Sequence, residues 1–124
     1  DATTLPTDDE PSPDAPTPQE ITPIGYLHYD PVVSPDGQWI AYVSQIAGND
    51  EIFKIRRDGS ANTRLTDNLW EWDKHPSWSP DGTEIAFWSN RDGRSQIYVV
   101  AADGTNLRNV SGGRFNDWDP AWVK

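Results

Sequence analysis

His28 and His75 are the only two histidines in this 124-residue chain, so any acid–base or metal chemistry built on imidazole must use one of them. No serine stands in a Gly-x-Ser-x-Gly elbow, and a hydrolytic triad therefore lacks its nucleophile signature. Both histidines are read as structural, and the chain is expected to be no enzyme and to need no cofactor. Carboxylates offer a second chemistry. Asp30, Asp73, Asp117 and Asp119, with Glu71 and Asn116 close by, are oxygen ligands of the kind calcium takes, but the ligand spacing of a calcium loop is missing. Capping and turn formation is the expected role. Seven tryptophans, Trp39, Trp70, Trp72, Trp78, Trp88, Trp118 and Trp122, offer a third, since sugar rings stack on exposed indoles. Trp78, Trp88 and Trp122 are expected to fill space between packed layers. Trp70, Trp72 and Trp118 fall in connecting loops and are candidates for contact with a neighbour, a glycan or a peptide.

The elements that must position these groups are repeated. Ser34-Pro35-Asp36-Gly37 recurs 45 positions later as Ser79-Pro80-Asp81-Gly82, and Pro31 to Thr66 aligns without a gap to Pro76 to Ser111 with twelve identities in thirty-six positions. Proline at the second position of each turn presets a type I geometry, and glycine supplies the left-handed residue that closes the hairpin. Each turn joins a first strand (Pro31 to Ser34, Pro76 to Ser79) to a second (Trp39 to Ser44, Glu84 to Ser89). A third follows (Glu51 to Arg56, Gln96 to Ala101), and Asp58-Gly59 or Asp103-Gly104 leads to a fourth (Thr63 to Thr66, Leu107 to Ser111). The middle strands are apolar on both faces, as in Ile40 to Val43 and Ile97 to Val100, which requires cover on each side. Four strands at this period form a propeller blade, a unit that cannot bury its own faces and must stack on a neighbour.

The run Pro76, Ser77, Trp78, Ser79, Pro80, Asp81, Gly82, followed by Ile85, Ala86, Phe87, Ser89, Gly93, Ile97, Tyr98, Asp103 and Gly104, resembles the repeat of TolB-like, WD-repeat-like β-propellers. Arg64, Leu65 and Thr66 are similar to its closing strand. The resemblance covers residues 21 to 124 and implies an interaction or ligand-presenting scaffold outside the cytoplasm, in the periplasm or beyond the cell. Partial copies flank the two repeats, because Ile21 to Pro31 aligns with Val110 to Pro120. The expected organisation is a tail over 1–20, blade 1 over 31–66, blade 2 over 76–111, and extra strands near 21–24 and 119–123.

Composition bounds the partners. The net charge is −10, and residues 1–20 hold six carboxylates, five prolines and no Lys or Arg, the makeup of an extended, solvated spacer. Nucleic acid is a poor partner for such a surface. No apolar run approaches the roughly 20 residues of a bilayer span. Cysteine and methionine are both absent, which excludes disulfides and predicts a processed or excised segment. Two blades cannot close a ring that elsewhere takes four to eight. If each outer face bares about five large apolar side chains at roughly 1.5–3 kcal/mol each, on the order of 10 kcal/mol is forgone per face, as much as a whole domain's stability. The expected fold is therefore all-β: two four-stranded antiparallel blades completing a six- or eight-bladed propeller by association with copies of the chain. Ile21, Ile24, Trp70, Trp72, Trp118, Pro120 and Trp122 are the expected contacts, and an extracellular fibre or scaffold is the expected product. The alternative is a ligand- or protein-binding propeller of a larger membrane-anchored protein.

Overall fold

A computed structural model describes residues 20–67, 72–111 and 122. Within them eight strands form two antiparallel four-stranded meanders. Blade 1 runs β1 (His28–Val33), β2 (Trp39–Ser44), β3 (Glu51–Arg56) and β4 (Thr63–Arg64), and blade 2 runs β5 (Asp73–Trp78), β6 (Glu84–Ser89), β7 (Gln96–Ala101) and β8 (Arg108–Asn109). No helix long and apolar enough to cross a membrane occurs among the described residues.

The second and third strands lie where the sequence places them. The first strands begin three residues earlier than expected, at His28 and Asp73. Pro31 and Pro76 lack the N–H that a continuous ladder needs, and a bulge absorbs the gap. Pairing shifts register between Tyr29 and Val32 and again between Lys74 and Ser77. The residues before the two prolines, Asp30 and His75, take left-handed φ values of 54° and 56°. The fourth strands are only two residues long. Side-chain oxygens replace the next ladder bonds there: Ile52 N donates to Thr66 Oγ1 at 2.9 Å and Ile97 N to Ser111 Oγ at 3.0 Å.

The Ser-Pro-Asp-Gly turns fold alike. Gly37 N donates to Ser34 O at 2.9 Å, as Gly82 N does to Ser79 O, and both glycines are left-handed, with φ of 73° and 74°. Asp36 Oδ1 accepts from Ser34 Oγ at 2.6 Å and Gln38 N at 3.0 Å, while Asp81 Oδ1 accepts from Ser79 Oγ at 2.7 Å and Thr83 N at 3.1 Å. These bonds, the serine hydroxyl foremost, hold both carboxyls below the ordinary value of 3.8. Asp58 and Asp103 are lowered in the same way by the hydroxyls of Ser60 and Thr105. A carboxyl lowered on folding stabilises the fold fully above its ordinary pKa and loses that contribution as pH falls through the lowered value. The expected thermal midpoint is thus insensitive to these groups near neutrality and declines below about pH 4. Scanning fluorimetry across that range tests this, and a midpoint held down to about pH 2 would deny the turns a role.

The core lies between the blades. Ala41, Val43, Ile52 and Leu65 of blade 1 meet Trp78, Ile85, Phe87, Tyr98 and Val100 of blade 2. Phe87 and Tyr98 stack with ring centroids 6.1 Å apart.

The outer faces correct the expectation of bare flanks. Tyr42, Phe53 and Ile55, which point away from blade 2, are buried, and Ile21, Ile40 and Ile46 pack against them. On the far side of blade 2, Ala86, Trp88 and Val99 are buried too. The expected strand over 21–24 is a turn, because Pro23 has no donor and Gly25 reverses the chain at φ 96°. His28 fixes this turn by donating from Nε2 to Pro23 O at 2.8 Å and setting its ring edge-on to Tyr42. Exposed apolar surface is displaced to Ile24, Tyr26, Leu27, Val33, Leu107 and Val110.

Candidate functional site

β5 carries the contacts that fix blade 2 on blade 1. Asp73 N donates to Asp50 O at 2.8 Å, Lys74 Nζ lies 3.3 Å from Asp50 Oδ2, and His75 Nδ1 lies 3.3 Å from Asp30 Oδ2. At the foot of the strand Trp78 Nε1 donates to Val32 O at 2.9 Å. The His75–Asp30 contact joins the two bulge residues, which are equivalent in the repeats.

The Trp78 contact and a further one between the blades, Leu65 against Gly104, have counterparts on the flanks. A Cβ built on Gly104 of blade 2 would lie 3.7 Å from Leu65 O, and one on Gly59 of blade 1 would lie 3.4 Å from Ile21 O. Ile21 is the repeat equivalent of Leu65. It sits on blade 1 as the fourth strand of a preceding blade would. At the other flank Trp122 Nε1 donates to Ser77 O at 2.8 Å. Ser77 and Trp122 are the repeat equivalents of Val32 and Trp78, so Trp122 takes the place of a third blade's tryptophan. Ile21 and Trp122 thus take positions on the flanks equivalent to those that link blade 1 to blade 2.

The other sequence candidates are dispersed. Trp72 is 48% exposed, with Lys74 Nζ 4.8 Å from its ring centroid. Ile24 is 83% exposed on its turn. Trp70, Glu71, Asn116, Asp117, Trp118, Asp119, Pro120, and the tail over 1–19 lie outside the described residues, as does all of the strand expected at 119–123 except Trp122. Asp73 is buried against Arg91 Nη2 at 2.9 Å, and Asp30 is engaged by His75. Among the described residues no group of three His, Asp or Glu side chains gathers as a metal site.

Several polar groups were not singled out by sequence. Buried Glu51 accepts from Thr66 Oγ1 at 2.7 Å and pairs with Arg64 Nη2 at 3.2 Å. Blade 2 keeps the geometry without the charge, since Gln96 Oε1 accepts from Ser111 Oγ at 2.9 Å. Partnering of this kind is what lets a carboxylate stay buried. Burial first, then the Asp50 carboxylate, raises the Tyr29 hydroxyl above its ordinary range. Burial and a hydrogen bond to Asp92 push Tyr98 up to about 12. Lys54, within the apolar run of β3, stands where blade 2 has Val99. The Glu51–Thr66 and Gln96–Ser111 pairs were open to detection as co-repeating polar positions.

Comparison with known proteins agrees with this architecture. A family model for the TolB β-propeller domain matches residues 16–124. An uncharacterized protein of Agrobacterium fabrum is 44% identical over 48 residues, 38% of this chain and 16% of its own length. The solved structure of a TolB-like protein from Agrobacterium tumefaciens is 27% identical with a TM-score of 0.57, over 72% of this chain and 37% of that one. A puromycin hydrolase matches at 19% identity and a TM-score of 0.63, over 73% of this chain and 15% of that one, a likeness of fold alone. The chain spans well under half the length of each. Blades of this kind occur in a hydrolase as well as in TolB-like proteins, so blade architecture by itself does not separate binding from catalysis.

Proposed function

The chain belongs to the TolB β-propeller domain family, and from that premise we propose that it is a non-enzymatic, self-associating structural unit acting outside the cytoplasm. Copies join flank to flank, blade 2 of one against blade 1 of the next, into a ring of six or eight blades or an open fibre. The observation that carries this reading is the pair of flank seats: Ile21 at Gly59 repeats Leu65 at Gly104, and Trp122 at Ser77 O repeats Trp78 at Val32 O. Each flank thus carries an equivalent of a contact formed between the blades, filled within this chain by Ile21 and Trp122, and association would exchange these segments for a second copy, whose blade 1 has Val33 at the position of Trp78. A heterologous contact of that type closes into a ring when its rotation permits and otherwise propagates. A head-to-tail seam would also set Asp30 of one copy beside His75 of another, the contact already present between the blades.

Light scattering on the full chain should give a mass of three or four copies, or a polydisperse polymer, at micromolar concentration, and negative-stain images should show rings or filaments. A monomer in both measurements defeats the proposal. A second reading, a ligand- or protein-binding propeller of a larger membrane-anchored protein, is supported by the half-exposed Trp72 beside Lys74. It gains weight if glycan or peptide binding depends on Trp72 while the chain stays monomeric.

A further inference from the structure

The seam between the blades holds a cation that no carboxylate among the described residues pairs with directly. Side chains on β3 alternate, and Ile52, Lys54 and Arg56 face blade 2. Ile52 enters the core, whereas Lys54 Nζ and Arg56 Cζ end over the ring of Trp39, 4.3 and 4.7 Å from its centroid. Among the described residues the Lys54 ammonium makes no hydrogen bond and no ion pair. Burial disfavours its charge most, Asp103 favours it from longer range, and Arg56 opposes it least.

This ammonium lines a cleft of about 380 Å³ between the two Ser-Pro-Asp-Gly turns, with Trp39, Trp78 and Ala102 as apolar walls. The volume lies at the small end of the range for small-molecule sites. Asp36 and Asp81 also line it, but one oxygen of each already accepts hydrogen bonds from its own turn. The repeat offers no structural reason for the lysine, because the equivalent Val99 serves blade 2 as a buried apolar residue.

We propose that the Lys54–Trp39 corner of this cleft binds a small monocarboxylate with a flat apolar body, the carboxylate on Lys54 Nζ and the body between the two indoles. A carboxylate would accept one or two hydrogen bonds from the ammonium, a charge-assisted contact stronger than a neutral one. The nearby Asp36, Asp81 and Asp103 and a net charge of −10 oppose any anion in proportion to its charge, so a single carboxylate is penalised least. The site lies within one chain and does not depend on self-association.

Isothermal titration of the full chain with benzoate, and with benzamide as its neutral isostere, tests the proposal. Benzoate is expected to bind with Kd of about 1 mM or tighter, and benzamide at least about tenfold more weakly. Lys54→Met, which keeps the stem and suits a position where the repeat tolerates valine, should lose benzoate binding by about tenfold or more, and Lys54→Arg should retain it within about threefold. Circular dichroism confirms that both variants fold. Equal binding of benzoate and benzamide, undiminished binding by Lys54→Met, or no heat up to about 10 mM benzoate each overturns the assignment.

Discussion

Phe87→Ala is expected to lower the unfolding free energy by about 3–5 kcal/mol, the combined loss of buried ring area and the cavity left behind. Phe87 is fully buried in the cluster between the blades, stacks on Tyr98, and has the Arg91 guanidinium 5.5 Å from its ring centroid. Two small blades provide few alternative contacts. A domain of this size has about 5–15 kcal/mol in total, so the variant is expected to be largely unfolded in about 2 M urea at room temperature. Both sheets should unfold in one transition, because neither sheet covers both of its own faces without the other. Leu107→Ala, at an exposed position, is the control and should stay within about 0.5 kcal/mol of the parent. Two separated transitions in Phe87→Ala, or a shift no greater than the control's, would place the stabilising contacts elsewhere than the seam.

The same residues explain what sequence could and could not disclose. Ser34 to Gly37 and Ser79 to Gly82 are legible because the chemistry of such a turn is local: proline, an aspartate acceptor, and a glycine at positive φ suffice. β2 and β3, and β6 and β7 likewise, are legible because a strand covered on both sides shows an apolar run without alternation. The bulges are not. Pro31 and Pro76 read as strand starts, yet the pairing extends three residues upstream through Asp30 and His75, residue types that tolerate a left-handed conformation but do not by themselves mark a bulge. The segment at 21–24 shows a different limit. Its alignment with Val110 identifies the place it fills, but a strand exists only where a partner edge is available, and the segment turns at Pro23 and Gly25 to lay Ile21 on Gly59. Covered flanks follow from that placement, so counting apolar residues on blade 1 overstated what it exposes. Lys54 escaped because one charge inside Ile52 to Arg56 is ordinary for a strand with an exposed face, and only the packing of β5 against that face makes it unusual.

Ile21, Leu65 and Val110 form a series in which the first two already show what the third lacks. Leu65 leaves β4 with its N–H on Ile52 O at 2.8 Å and comes to rest against Gly104, whereas Val110 has the matching bond, N to Ile97 O at 2.9 Å, but is 52% exposed. In the proposed assembly Val110 would take the seat on Gly59 of a second copy, where Ile21 now lies. Association by this route is an exchange, so substitutions at the two positions should act in opposite directions. Val110→Asp should leave the monomer's stability within about 0.5 kcal/mol, as an exposed change does. It should weaken association by about two orders of magnitude or more, since the seam then loses apolar burial of about 1.5–3 kcal/mol and must also desolvate a carboxylate. Ile21→Ser removes the competitor's apolar grip and should strengthen association by about tenfold while lowering the monomer's thermal midpoint. Sedimentation velocity across a concentration series reads both effects. If the two variants and the parent sediment alike at every concentration, Gly59 is a seat for the chain's own segment alone, and the contact between copies does not pass through it.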